Sequence, residues 1–160
     1  MTDAARSRIY PVVTVVLLLV IAAMAYEFIV AGSTQKAADG RVAVLLEPAE
    51  RALMLKEMRA FVSGLQLMSE ALSRNDMKGV AKASRAMGTV SARDVPLAML
   101  GKLPLQFKTL AFGVHGGFDN IASDAEKIGA PKHTLAQLSG VLRKCAACHD
   151  RYQVKVATTK

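Results

Sequence analysis

Two cysteines and a histidine lie within five residues near the C-terminus, in the stretch VLRKCAACHDRYQ. Cys145, Cys148 and His149 are spaced i, i+3 and i+4, so in a helix they project from one face. The pattern C-x-x-C-H is typical of covalent haem attachment, in which each thiol adds to a vinyl group and the imidazole becomes an axial iron ligand. We therefore predict one haem c, attached through Cys145 and Cys148, with His149 as an iron ligand.

Three other kinds of site use cysteines at a similar spacing. A disulfide between residues three apart in a helix has poor geometry, and it leaves His149 without a role. A zinc site needs two more ligands, and the other histidines, His115 and His133, do not lie at zinc-finger spacings. A thioredoxin-like redox pair follows a strand, and no strand is predicted before this helix. Haem attachment accounts for all three residues of the motif.

The N-terminus has the pattern of an export segment. Arg6 and Arg8 precede a stretch from Val12 to Ala31 that is apolar except for Thr14 and Glu27. Basic residues before such a stretch keep the start of the chain in the cytoplasm, so the remainder crosses the bacterial inner membrane. Covalent attachment suits that compartment, because a tethered haem is not lost to the medium.

The length of the apolar stretch favours a retained anchor. Its 20 residues match the ~20 that a helix needs to cross the hydrocarbon core, so we predict that residues 1–32 are a single-pass anchor with a periplasmic domain. Ala23-Met24-Ala25 also fits a signal-peptidase site, so cleavage at Ala25 and a soluble periplasmic protein remain an alternative. The small and polar residues at 33–41 predict a linker to a domain at 42–160.

The domain is predicted to be all-α, an antiparallel four-helix bundle. The chain has 52% hydrophobic residues, 8 Met and no Trp, and apolar residues recur every three or four positions in four stretches that begin near Pro48, Met77, Pro104 and Lys132. The predicted apolar seams are Met54, Met58, Phe61, Leu65, Met68 and Leu72; Val80, Ala83, Met87 and Val90; Phe107, Ala111, Val114, Phe118, Ile121, Ala125 and Ile128; and Leu135, Leu138, Leu142, Cys145, His149 and Tyr152.

The charge pattern and the remaining motifs exclude several functions. The net charge of +8 suits nucleic acid, anionic lipid or an acidic protein. However, the basic residues are scattered and no helix-turn-helix, ribonucleoprotein or zinc-finger pattern concentrates them, so we predict no nucleic-acid binding. No nucleophile, general-base pair or phosphate-binding loop is apparent, so we predict that the protein is not an enzyme.

The terminal helix, with CXXCH followed by a tyrosine, resembles the cytochrome c-prime family. The resemblance extends from about Glu47 to Tyr152, and its specific part is this last helix. It implies a single-haem four-helix bundle in which Cys145 and Cys148 form the thioethers and His149 is the proximal ligand. It also implies that the first helix meets the opposite haem face. The predicted anchor and the EMRAF stretch depart from the family pattern.

The same resemblance implies candidates for the sixth iron position. In the family, an apolar residue on the first helix leaves the iron five-coordinate, whereas a methionine makes it six-coordinate. Met58 is the predicted ligand, with Met54 in reserve, although either residue is equally suited to core packing. Arg59 is predicted near the haem propionates, because family members carry an arginine on this helix. His115, in FGVHGGFDN, is a third candidate ligand.

These features predict a c-type monohaem cytochrome that carries single electrons between redox proteins on the periplasmic side of a bacterial membrane. A methionine ligand raises the potential and suits this role. With an open sixth position, binding or scavenging of nitric oxide or carbon monoxide is the alternative. A further alternative is a fixed haem subunit of a larger membrane complex. The basic surface is expected to meet acidic patches on redox partners.

Overall fold

The structure is a computed structural model that describes residues 3–157, with side chains from residue 10 onward. Residues 1, 2 and 158–160, at the ends of the predicted segments 1–32 and 42–160, lie outside the described residues, as do the side chains of Arg6 and Arg8. The chain is mostly helical. Its elements are α1 (Asp3–Tyr26), β1 (Thr34–Lys36), β2 (Val42–Leu46), α2 (Pro48–Ser73), α3 (Met77–Met87), α4 (Leu97–Lys102), α5 (Leu105–Lys127), α6 (Pro131–Arg151) and β3 (Tyr152–Val156).

The N-terminal helix meets the rest of the chain at its C-terminal end, where the turn that follows α1 contacts α4 and α5. A π-helical turn, Glu27–Ala31, continues α1 without a break. Tyr10–Ala31 has 22 residues, a mean hydropathy of 2.6 and no part buried against the rest of the chain. This helix is long and apolar enough to cross a membrane, and a signal sequence has the same properties.

The first helix of the domain begins where local sequence signals predict. Pro48 occupies the first turn of α2, where a missing N–H costs nothing. The Glu47 and Glu50 side chains form a capping box, in which Glu47 N donates to Glu50 Oε2 at 2.8 Å. These contacts satisfy backbone groups that the first turn otherwise leaves free.

Helices α2, α3, α5 and α6 pack as neighbours in that order, and each is antiparallel to the one before. In every pair, residue numbers that rise along one helix fall along its partner. The residue pairs that meet are Met68–Ser84 and Gly64–Met87 between α2 and α3, Arg85–Glu126 between α3 and α5, Thr89–Asp119 between the turn after α3 and α5, and Asp124–His133 and Gly117–Val141 between α5 and α6. The backbones of α2 and α6 make almost no direct contact.

Apolar side chains form two buried clusters, one at each end of the helices. The distal cluster lies at the end where α2 finishes and α3 begins, and it includes Met68, Val80, Phe118, Ile121 and Val141. The proximal cluster lies at the end where α2 and α5 begin, and it comprises Val44, Leu46, Met54, Met99, Leu103, Phe107 and Tyr152. The proximal cluster is therefore shared by the helices and the strands.

The prediction of an all-α domain is wrong in one respect, because the chain also contains a three-stranded sheet. The strand order is β1-β2-β3, with β1 antiparallel and β3 parallel to β2. Val42 pairs with Tyr152 and Leu46 with Val156, so the two ends of the domain meet. The predicted linker at 33–41 contains β1. Such short strands are stabilised by partners distant in sequence, which local periodicity does not reveal.

The predicted seam of the last helix is also wrong in part. Leu138 is buried as predicted, but Leu135 and Leu142 are exposed, and α6 buries Thr134 and Val141 in their place. Among its neighbours α6 packs mainly against α5, so the position of that one helix selects which stripe is buried. Two predicted seam residues at helix ends, Val90 and Ile128, are exposed as well, because they lie beyond the last turns of α3 and α5.

Candidate cofactor site

A cavity of about 290 Å³ lies between α2, α5 and α6 at the proximal end. This volume is close to the ~300 Å³ at which small-molecule sites begin. Its wall is mostly apolar, and the apolar members include Met54, Met58, Phe61, Met99, Phe107 and Val114. The cavity lies where a direct interface between α2 and α6 would otherwise form.

The three residues of the CXXCH motif all line this cavity. They lie in the last turns of α6, on one face of the helix. Cys145 and Cys148 are half-buried, whereas His149 is exposed at the rim. The structure therefore brings the three predicted attachment residues to one apolar cavity that reaches solvent.

The sheet positions the end of α6. The helix stops at Arg151 because Tyr152 is extended, with φ −121° and ψ 151°, and continues as β3. The Tyr152 ring is buried and packs edge-on against Phe107, with centroids 5.3 Å apart. Arg41, just before β2, donates from Nη1 to His149 O at 3.2 Å. The backbone of the motif is thus joined to residues near the start of the domain.

Both thiols are free, and their surroundings disfavour the thiolate form. Burial raises the pKa of Cys145. Burial, together with the neighbouring Cys145, raises the pKa of Cys148 to about 11. A redox-active cysteine typically has the opposite, a pKa lowered by nearby positive charge. The surroundings of both cysteines therefore favour the neutral thiol.

Both predicted methionine ligands lie in the cavity wall that α2 provides. Met54 is 6% exposed and belongs to the proximal cluster. Met58, one helical turn further, is half-buried and packs against the edge of that cluster, as does Cys148. Because it is less enclosed by protein atoms than Met54, Met58 has more freedom to reach a group in the cavity.

The structure does not bring Arg59 to the cavity. Its side chain is exposed, and Arg59 is not among the lining residues. The basic residues in the wall are instead Arg41 and Lys108. Asp39 contacts Arg41 at 2.7 Å, and burial lowers the pKa of Lys108. Sequence reasoning missed both residues, because neither lies near a recognisable motif or on the first helix of the domain.

His115 is buried in the cavity wall with partners at both ring nitrogens. Nδ1 lies 2.9 Å from Met87 O, and Nε2 lies 3.3 Å from Glu57 Oε1. The second contact is close enough for ion pairing but is not aligned as a hydrogen bond, so Glu57 Oε1 has no hydrogen-bond partner. Burial opposes the charged imidazole, but Glu57 and the Met87 and Gly88 carbonyls outweigh it and raise the pKa of His115.

Among residues 3–157, no three or more His, Cys, Asp or Glu side chains converge into a group that could bind a metal ion by themselves. His133, the remaining histidine, contacts Asp124 at 2.9 Å on the surface. The possible donors in the cavity wall are two thiols, two thioethers and the imidazoles of His149 and His115, of which His115 already has protein partners. This set fits a haem, which needs only an axial imidazole and two thiols, far better than a zinc ion.

Comparisons of the whole chain with protein-family models, with curated proteins and with solved structures found no match in any of the three.

Proposed function

We propose that this protein is a membrane-anchored c-type cytochrome with one haem c in a four-helix bundle. It carries single electrons between redox proteins on the periplasmic side of a bacterial membrane. One observation carries this function: Cys145, Cys148 and His149 line an apolar cavity whose opposite wall contains Met58. Two thiols and an imidazole at this spacing are the attachment set of haem c.

Each residue of the cavity has a distinct part in holding the cofactor. Cys145 and Cys148 would hold the haem covalently through their sulfur atoms, and His149 would bind its iron. Haem supplies a one-electron ferric–ferrous couple when it is bound. Apolar side chains such as Phe61 exclude water from the porphyrin. Arg41, which Asp39 contacts at 2.7 Å, is the cationic side chain of the wall that would face the carboxylates of the haem.

Met58 is the proposed second protein ligand that would bind the iron. A thioether stabilises ferrous iron and undergoes little rearrangement on reduction, which suits electron transfer. Two facts support Met58 over its alternatives. Met54 is enclosed in the proximal cluster, and His115 has a protein partner at each ring nitrogen.

The apolar N-terminal helix is the proposed anchor. It continues into a turn that contacts the domain, and Arg6 and Arg8 before it retain the N-terminus in the cytoplasm. The domain then lies in the periplasm, where covalent haem attachment takes place in bacteria. The mass of the mature chain tests this topology, because loss of residues up to Ala25 contradicts the anchor.

The visible absorption spectrum of the native protein tests the function. It should be recorded in the oxidised state, in the reduced state and after addition of carbon monoxide to the reduced state. We expect sharp low-spin bands that do not respond to the gas. A broad high-spin spectrum that responds to carbon monoxide supports gas binding instead. A colourless protein with two free thiols contradicts the cytochrome assignment.

A further inference from the structure

The proximal end, which holds the cavity, is also the end that receives the N-terminal helix. Ser33 N donates to Lys102 O at 2.8 Å, which joins the chain after the π-helical turn to α4. Lys108 Nζ donates to Phe28 O at 3.1 Å, which joins the turn itself to α5. The apolar helix therefore meets the domain through direct contacts with α4 and the start of α5.

This junction is packed at two glycines. Gly32 has φ +65°, which favours glycine, and a Cβ there would lie 2.6 Å from Lys102 O. A Cβ at Gly101 would overlap the ring of Phe28, which lies directly against α4. The domain is therefore attached to the apolar helix by a close-packed joint and does not hang from a flexible tether.

The joint indicates which surface faces the bilayer. Phe28 belongs to the apolar stretch Tyr10–Ala31, so α4, which contacts Phe28, lies level with the end of that stretch. Leu97 is four residues before Gly101 and thus on the same face of α4, and its side chain is 76% exposed. Leu105 is three residues before Lys108 on α5, and it is 45% exposed. Two large apolar side chains therefore flank the apolar helix.

We propose that Leu97 and Leu105 insert into the interface of the same phospholipid bilayer that the N-terminal helix spans, and that they hold the domain on the membrane in one orientation. This inference rests on the proposed membrane anchor. The contact is apolar in character, because the nearby cations have partners within the protein. Lys102 Nζ contacts Glu50 at 2.8 Å, and Lys108 contacts a carbonyl. Zwitterionic lipid should therefore be sufficient.

This orientation determines the location of the cofactor cavity. On the opposite side of α4, Met99 and the residue that follows the helix, Leu103, line the cavity. A helix with its side chains is about 10 Å across, so the cavity lies about one helix diameter from the lipid-facing surface. Redox partners would then reach the site from the membrane plane or from the sides, and the haem would remain at a constant height above the bilayer.

A depth measurement with introduced tryptophans tests the proposal. The chain contains no Trp, so Leu97→Trp gives a full-length protein with a single reporter. The matched control is Leu135→Trp, which replaces another exposed leucine at the distal end of α6. Each protein is reconstituted into vesicles of phosphatidylcholine and of brominated phosphatidylcholine. The emission ratio between the two lipids cancels any quenching by the haem.

We expect brominated lipid to reduce the emission of Leu97→Trp by at least half and to leave that of Leu135→Trp unchanged. Equal emission of Leu97→Trp in both lipids overturns the contact when the protein still floats with the vesicles after an alkaline wash. Loss of the protein from the floated vesicles overturns the anchor and the contact together. Neither result alters the visible spectrum, which tests the haem separately.

Discussion

Glu57 Oε1 lies 3.3 Å from His115 Nε2, and this pair links α2 to α5 within the cavity wall. His115 is 4% exposed, and its ring also lies against Phe61, with centroids 5.2 Å apart. The Glu57 carboxylate attracts the imidazole ring of His115 more strongly when that ring is protonated. The protonation of His115 is therefore linked to the stability of the fold.

We expect this linkage to make stability fall as the pH rises through neutrality. The pKa of folded His115 is raised above its ordinary value of 6.5. The contribution of His115 to the free energy of unfolding is therefore complete below the pKa that His115 has in the unfolded chain. It is lost as the pH rises through the pKa of His115 in the folded protein. Urea unfolding between about pH 5.5 and 8.5 measures how the free energy of unfolding changes with pH, since this range spans an ordinary histidine pKa. His115→Gln should make this change smaller.

The control for this prediction is His133→Gln, which removes an exposed histidine that contacts Asp124 on the surface. The free energy of unfolding of this variant should change with pH as much as that of the original chain does. If His115→Gln and the original chain lose stability equally over the same pH range, the Glu57–His115 pair does not contribute to the pH dependence.

Met58→Leu should change the chemistry of the site with little effect on the fold. A Met-to-Leu replacement costs less than about 1.5 kcal/mol because the volume is nearly conserved. Without the thioether, we expect a high-spin reduced spectrum that responds to carbon monoxide. Met54→Leu is the matched control, one helical turn away in the same wall, and should keep the low-spin spectrum. A response to carbon monoxide in Met54→Leu alone would make Met54 the ligand.

Removal of both thiols should abolish covalent attachment. For the double variant Cys145→Ser and Cys148→Ser we expect the mass of the polypeptide alone, and no haem signal after denaturing electrophoresis. Either single variant should retain one thioether link. Its absorption band should be shifted, and the yield of haem-containing protein should be lower. Ala146→Ser, between the two cysteines and exposed, is the control and should keep the full adduct mass. An unchanged adduct in the double variant would contradict the attachment site.

Two adjacent glycines on α5 should respond in opposite ways to alanine. A Cβ at Gly117 would lie 2.6 Å from Cγ2 of Val141 on α6, and this β-branched side chain has little freedom to move. We expect Gly117→Ala to lower the free energy of unfolding by about 1–3 kcal/mol. A Cβ at Gly116 meets no atom within 4 Å, so Gly116→Ala should raise stability by up to about 1 kcal/mol through helix propensity.

Chemical unfolding monitored by circular dichroism measures both values under identical conditions. Equal effects of the two substitutions would mean that the close approach of α5 and α6 at Val141 does not limit the packing.

Local signals in the sequence predicted the helices well. Prolines mark the first turns of α2 and α6, and Asp76 caps α3 by accepting from Gly79 N at 2.9 Å. The grouping of Cys145, Cys148 and His149 on one face also follows from the geometry of a single helix. These features involve residues at most a few positions apart, so no knowledge of the packing is needed to recognise them.

Other parts of the site depend on residues that are distant in the chain. Arg41 reaches the backbone of His149 only because β2 and β3 pair in parallel. Arg59, next to the predicted ligand Met58, instead points to solvent. A periodic pattern indicates that two residues share a helix face. It does not indicate how far the helix is rotated relative to the neighbouring helices.

The sequence by itself therefore determined the apolar N-terminal helix, the succession of amphipathic helices and the shared face of Cys145, Cys148 and His149, because each depends on the periodicity of one helix. Only the tertiary structure decided the sheet, the buried stripe of α6, the Glu57–His115 pair and the joint between Phe28 and Gly101. Each of these depends on the distance and rotation between elements, which are set by side-chain packing across the whole domain.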